Sequence, residues 1–254
     1  MEKTIANQIS PSQVSGRLAT WHRVMEEAGL TYDDLQKPID DPELRKRLVC
    51  FWQTGFEPTT SQKRARKIMG RNFFGIEEVI KHFGITPTSE QLALLAEVSF
   101  PEAVLEESKN THVLVAVLPL SILKIRSKVD SRLFYDQSWF NKEHFAKESI
   151  TPSWQLVRKT PVDNSTSKNW QEQQTLVAKD DEVPSAQVMV YTIIGHYLVT
   201  GERLFERIYV RTSSVDSDGD HVDVGYFDSD GLIVSHYWDG FRNDGLGVSS
   251  ARKF

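Results

Sequence analysis

The chain has 254 residues, 39% of them hydrophobic and 26% charged, and a formal net charge of -5, which places it among globular proteins and gives it no global positive field for nucleic acid or anionic lipid. A single cysteine, Cys50, excludes an intrachain disulfide and suits a reducing compartment. The stretch MEKTIANQIS lacks a signal-peptide core, and the longest apolar segment, Val188 to Val199, is too short for a membrane span, so a cytoplasmic protein is expected.

The first 110 residues read as helical. Ser10-Pro11-Ser12-Gln13 offers an N-cap, a proline at the first helical position and a glutamine to close a capping box. Val14, Leu18, Trp21, Val24, Met25 and Ala28 then recur at helical spacing, and Gly29 is placed as the C′ residue. A second helix starts at Asp41-Pro42 and carries Leu44, Leu48, Val49, Phe51 and Trp52 ahead of Gly55. Short helices follow over Ser61 to Met69, Ile76 to Phe83, Thr88 to Val98 and Ser99 to Ser108, with capping boxes at Thr88/Gln91 and Ser99/Glu102. Helices of this length are marginal alone in water, so they must pack on one another or on the rest of the chain.

Near Thr111 the pattern changes. His112 to Leu118 contains the run VLVAVL, which suits a strand buried on both faces. Leu120 to Val129 is predicted as a short helix, Ser131 to Phe145 as an aromatic-rich connection, and Trp154 to Val162 as another strand. Asn169/Glu172 can close a capping box for a helix to about Ala178. The apolar segment ending at Gly201 is predicted as a buried helix rather than a strand pair, against the pull of its many β-branched residues. From Glu202 to Trp238 three alternating strands are separated by Asp218-Gly219 and Asp230-Gly231, the pairs that type I′ hairpin turns favour.

Together these elements predict an α+β fold: a helical region over 1–110, then an α+β domain over 111–254. In the latter, about five strands form a mostly antiparallel sheet against one buried helix, ending in the three-stranded meander. The segments RARKIMGRNFFGIEEVIKHFGI, THVLVAVLPLSILKIR, WQLVRKTPVDNSTSKNW and GHYLVTGERLFERIYVRTSSVDSDGDHVDVGYFDSDGL resemble a family of uncharacterised bacterial hypothetical proteins, from about Ser61 onward. That resemblance implies a bacterial-type source and an intracellular globular protein, and it brings no activity, cofactor or catalytic residue.

Three constellations could carry chemistry. Asp216, Asp218 and Asp220, with Asp223, Asp228 and Asp230 beyond them, offer oxygen ligands to a divalent cation, although the spacing is wrong for an EF-hand and the same residues make hairpin turns without a metal. If both turns hold two residues, Asp223 lies opposite Ser214, and Asp223 and His236 become diagonal neighbours on one face. A carboxylate orienting an imidazole beside a hydroxyl is the geometry of general base catalysis, and a one-residue slip would scatter it. Lys63, Arg64, Arg66, Lys67 and Arg71, followed by Phe73 and Phe74, could contact phosphates and stack bases, or form a solvated helix face with the phenylalanines in the core. His196, with Thr192 and Thr200 one helical turn to either side, reads as a core histidine bonded to a neighbour.

No motif for catalysis, nucleotide binding or metal binding outweighs its structural alternative. The expected role is therefore a non-catalytic intracellular binding or interaction protein with an unknown protein partner. The alternatives are a nucleic-acid-associated protein using the basic helix 63–71, and a hydrolase or metal-dependent enzyme using Asp223 and His236.

Overall fold

The computed structural model describes residues 11–253, and the chain forms two compact units, Met1–Glu57 and Pro58–Phe254. In the first, α1 (Pro11–Glu27) opens on the expected proline, while Ser10 lies outside the described residues. A capping box between Thr31 and Asp34 starts α2 (Tyr32–Asp40), and the Leu44 N–H donates to Asp41 Oδ1 at 3.0 Å at the start of α3 (Pro42–Thr54). Leu18, Trp21, Val24, Val49, Phe51 and Trp52 on these helices are exposed.

The second unit begins with α4 (Thr60–Met69), β1 (Phe73–Phe74), α5 (Ile76–Phe83), α6 (Ser89–Leu94) and α7 (Glu102–Ser108), so these helices share a unit with the sheets. The capping box of α4 uses Thr59 and Gln62, just ahead of the expected start, whereas Thr88/Gln91 caps α6 as expected. The expected Ser99/Glu102 box does not form. Pro101 is itself the N-cap, and a residue preceding proline is held in extended backbone, so the helix begins only at Glu102.

Next come β2 (His112–Val117), α8 (Ile122–Lys128), α9 (His144–Lys147), β3 (Ser153–Arg158), α10 (Trp170–Gln174), β4 (Asp181–Glu182) and α11 (Ala186–Thr200). The chain then runs through β5 (Tyr209–Val215), β6 (His221–Asp228), β7 (Gly231–Tyr237), β8 (Leu246–Val248) and β9 (Ala251–Arg252). The strands make two mostly antiparallel sheets, ordered β1-β2-β3-β9-β4 and β7-β6-β5-β8, each with one parallel pair. The meander is thus a sheet of its own, closed at one edge by β8. The fold is α+β.

Helix α11 packs on β1, β2 and β3 of the first sheet and on β5 and β6 of the second. Every residue from Ala186 to His196 is buried, which explains why the segment is apolar around its whole circumference. Tyr191 Oη donates to Ala116 O at 3.0 Å and accepts from Leu118 N at 3.3 Å, fixing the helix to β2. Gly195 admits the Phe74 ring of β1, since an added Cβ would lie 2.9 Å from that ring.

Candidate functional site

The registers of the meander depart from the two-residue turns that its Asp-Gly pairs suggest. Between β5 and β6, Asp216 Oδ1 accepts from the N–H groups of Asp218 at 2.9 Å and Asp220 at 3.0 Å, closing a longer connection in which Val215 pairs with His221 and Arg211 with Asp223. Between β6 and β7, Asp228 pairs with Gly231, so the central turn residues are Ser229 and Asp230. Gly231 is a strand residue kept small by a backbone crossing, because a Cβ there would lie 2.5 Å from the carbonyl carbon of Phe134.

A bulge at Tyr226 and Phe227 then shifts the ladder, pairing Asp223 with Ser235 and Val222 with His236. Cross-strand partners share a face and successive residues alternate, so Asp223 and His236 project from opposite faces. The Ser214 hydroxyl accepts from Ala186 N at 3.0 Å. The expected constellation of Asp223, His236 and Ser214 does not form.

The same registers assemble a different group. Tyr209 and Arg211 from β5, Asp223 from β6, and Ser235 and Tyr237 from β7 share the face opposite Val210, Val222 and Val224. The bulge holds Tyr226 at φ 45° and brings its ring within 4.5 Å of the Tyr209 ring, while Phe227 turns against Tyr197 of α11 at 5.2 Å. Positive φ is uncommon outside glycine, and strain of this kind collects at functional sites. The Tyr237 ring lies 6.3 Å from Tyr209 and stacks on Phe241 at 4.5 Å. Tyr209, Tyr226, Tyr237, Asn243, Gly245 and Leu246 line a cavity of about 210 Å³.

Asp223 sits on the strand between Tyr209 and Tyr237, is fully buried, and has no hydrogen-bond partner for either carboxyl oxygen among the described residues. Arg211, directly across the ladder, is also fully buried but donates elsewhere, to Gln173 Oε1 and Phe241 O at 2.9 Å, Trp238 O at 3.2 Å and Lys168 O at 3.4 Å. Its guanidinium ties down α10 and the residues after β7. Burial pushes the Asp223 carboxyl up to about 8, opposed by the nearby Arg211 charge, so the group holds its proton at neutral pH. Burial, and next the Asp223 charge, push the Tyr209 and Tyr237 hydroxyls above their usual value. An orphaned buried carboxyl costs roughly 1–3 kcal/mol and marks a site where function is the first explanation to test. Beside it, His221 Nδ1 lies 2.6 Å from Asp239 Oδ1, and its ring lies over Trp170 at 3.9 Å.

No family model, curated protein or solved structure matches this chain.

Of the expected metal ligands, Asp216 and Asp220 converge with His236, each offering a ligand atom within 4.8 Å of the others, whereas Asp218 stays out of the group on the exposed turn. His236 Nδ1 lies 3.0 Å from Asp216 Oδ2 and 3.8 Å from Asp220 Oδ2, with its ring 4.7 Å from that of Trp139. The remaining oxygen of Asp216 already caps the turn, so the three residues also have an ordinary structural role.

The basic helix is largely neutralised. Arg66 pairs with Glu77 and Glu78 at 2.6 Å each and lies 4.6 Å over the Phe73 ring, Arg64 pairs with Glu102 at 3.4 Å, and Arg71 with Glu202 at 3.0 Å. Phe73 and Phe74 are 4% and 1% exposed and cannot stack on bases. Lys63 and Lys67 are exposed on the same helix. His196 is buried, and the flanking threonines bond helix carbonyls rather than the imidazole: Thr192 to Val188 O and Thr200 to His196 O, both at 2.7 Å. Its Nε2 makes an electrostatic contact with Glu202 at 3.5 Å, and burial lowers its pKa, keeping the ring neutral. Among the described residues, no helix is long and apolar enough to cross a membrane.

The tyrosine cavity is the feature that sequence reasoning missed. A usable signal was Arg211 between Val210 and Thr212: an arginine in mid-strand beside two buried residues needs several acceptors, and the residues supplying them must cover that face.

Proposed function

We propose that this is a non-catalytic intracellular binding protein whose site is the tyrosine-lined cavity of the second sheet. The observation that carries this reading is the buried, unpartnered carboxyl of Asp223 on the strand between Tyr209 and Tyr237. Rings and hydroxyls line the opening, and a β-bulge places one of the walls, which is the composition of a small recognition site. A volume of about 210 Å³ falls below the roughly 300–1,000 Å³ of sites for drug-sized ligands, so the ligand is a small molecule or a headgroup.

The test is a screen of neutral, anionic and cationic fragments by thermal unfolding, run on the wild type and on Tyr237→Leu. A ligand that binds the native state raises the apparent stability by mass action. Shifts abolished by Tyr237→Leu support the cavity. Shifts that survive it, or no shift with any fragment, refute the reading.

A divalent cation at Asp216, Asp220 and His236 is a second reading, favoured by their mutual approach within 4.8 Å. It requires a zinc- or manganese-dependent rise in melting temperature that disappears in His236→Ala. Equal responses in the two proteins would retire it.

A further inference from the structure

Resting on the cavity reading above, we infer that the ligand is a small organic ammonium cation, walled by Tyr209, Tyr226 and Tyr237 with Asp223 as its counter-ion. The walls come first. The Tyr226 ring is tilted 49° to Tyr209 at 4.5 Å, and the Tyr237 ring 71° to Tyr209 at 6.3 Å, so the three rings present differently inclined surfaces to one small volume. Aromatic rings so disposed attract a cation through their quadrupoles, and the interaction strengthens as water is removed.

The charge balance points the same way. The carboxylates acting on Tyr209 are Asp223 and, more weakly, Asp228. Arg211, the guanidinium across from Asp223, donates to four acceptors and leaves only Nε unpartnered, so it has little left with which to hold an anion. Asp223 is oriented by no hydrogen bond among the described residues and lies buried on the strand between two of the three walls, close enough for its charge to act on Tyr209 and Tyr237. A bound ammonium would supply a second opposite charge to a buried carboxylate whose facing cation, Arg211, donates its hydrogen bonds to other groups.

This pairing ties binding to a proton. In the empty site the Asp223 carboxyl retains its proton up to about pH 8; when the ammonium enters, the O–H bond breaks, the electron pair stays on the carboxylate, and the proton leaves to water. Affinity should therefore rise with pH through that range. Asp223 is faced across the ladder by Arg211 from β5 and Ser235 from β7, and its charge acts on Tyr209 and Tyr237; Tyr226 and Asp228 of β6 act on Tyr209, and the His221–Asp239 pair lies beyond. Tyr209 and Tyr237 are both held above the usual tyrosine value and stay neutral across the window.

The experiment titrates the full chain with tetramethylammonium, with choline, and with the uncharged isostere of choline that carries carbon in place of the quaternary nitrogen. Calorimetry is run at about pH 6.5 and about pH 9, on wild type, Asp223→Asn and Tyr237→Leu. The expected result is ammonium binding at the higher pH that weakens by roughly tenfold or more at the lower, with the isostere weaker throughout. In Asp223→Asn the pH dependence should vanish, which a merely structural aspartate would not produce. Tyr237→Leu keeps an apolar side chain on a partly exposed position and should lose ammonium binding while its circular dichroism is unchanged. If the isostere matches choline and Tyr237→Leu abolishes both, the cation is overturned and the cavity stands. Binding of anionic or neutral fragments where the ammonium ions do not bind would overturn the cation in the same way. If the fragment screen and these titrations all show nothing, both readings fall.

Discussion

Replacing Asp223 by asparagine keeps the shape of the side chain and removes its ionisation, so wild type and variant differ in one titrating group. The folded carboxyl titrates at about 8, against about 3.9 for an unfolded aspartate. Between those values the unfolded chain has released a proton that the folded chain still holds, so stability falls as pH rises, by about 1.4 kcal/mol per pH unit. The contribution of the protonated form is fully present below roughly pH 4 and is lost as pH passes the folded value of about 8. From about pH 5 to about pH 8 the wild type should lose on the order of 4 kcal/mol relative to Asp223→Asn, whose amide does not titrate in that window. Urea unfolding of both proteins at closely spaced pH values measures this difference directly, because groups common to the two cancel. A difference that stays flat would mean that Asp223 is solvated. One that moves in favour of the wild type as pH rises would mean an ionised Asp223 paired with Arg211, and would refute the argument from burial.

Other outcomes follow from single contacts. Arg211→Met should cost roughly 3–5 kcal/mol in urea unfolding, since it strips the donor from Gln173 and three backbone carbonyls; a loss below about 1 kcal/mol would show that the residues after β7 are anchored elsewhere. Asp216→Ala should cost roughly 1–2 kcal/mol by freeing two turn N–H groups, and Asp218→Ala about 0.5 kcal/mol or less; equal costs would contradict the turn geometry. Gly195→Ala drives a methyl into the Phe74 ring and should destabilise by roughly 1–3 kcal/mol, seen as a lower melting temperature, whereas an unchanged melting temperature would show that β1 can withdraw from α11.

Much of the architecture is legible in the residues, because caps and periodicity are local signals. Thr88/Gln91, Asn169/Glu172 and Gly201 end or begin helices where their chemistry says they should. The apolar circumference of 186–196 reads directly as burial on all sides, and α+β follows from the order of elements. The partition of strands into two sheets is not legible, since β9 reaches its place beside β3 through contacts remote in sequence. Nor is the candidate site. The Asp-Gly pairs mark where the chain turns but not how many residues the turn uses: Asp216 lengthens the first connection and Phe134, crossing over Gly231, displaces the second. The bulge at Tyr226 adds a single-residue shift, and with a period of two that shift exchanges the faces. Asp223 and His236 were separated by that arithmetic, and Asp223 and the tyrosines were joined by it.

Strand β9 lies between β3 and β4 although it is the last of the three to be made, and α11 is covered on one side by a sheet whose strands all follow it. On the ribosome, α11 emerges with an apolar surface on every side and nothing yet synthesised to cover the flank that β5 and β6 will occupy. That flank stays open until the meander has left the exit tunnel, and the first sheet cannot close until residues 251–252 arrive. Production of this protein therefore depends on protecting one helix for the time it takes to translate the strands behind it, and slow translation beyond Thr200 should increase aggregation even though the finished fold is unchanged.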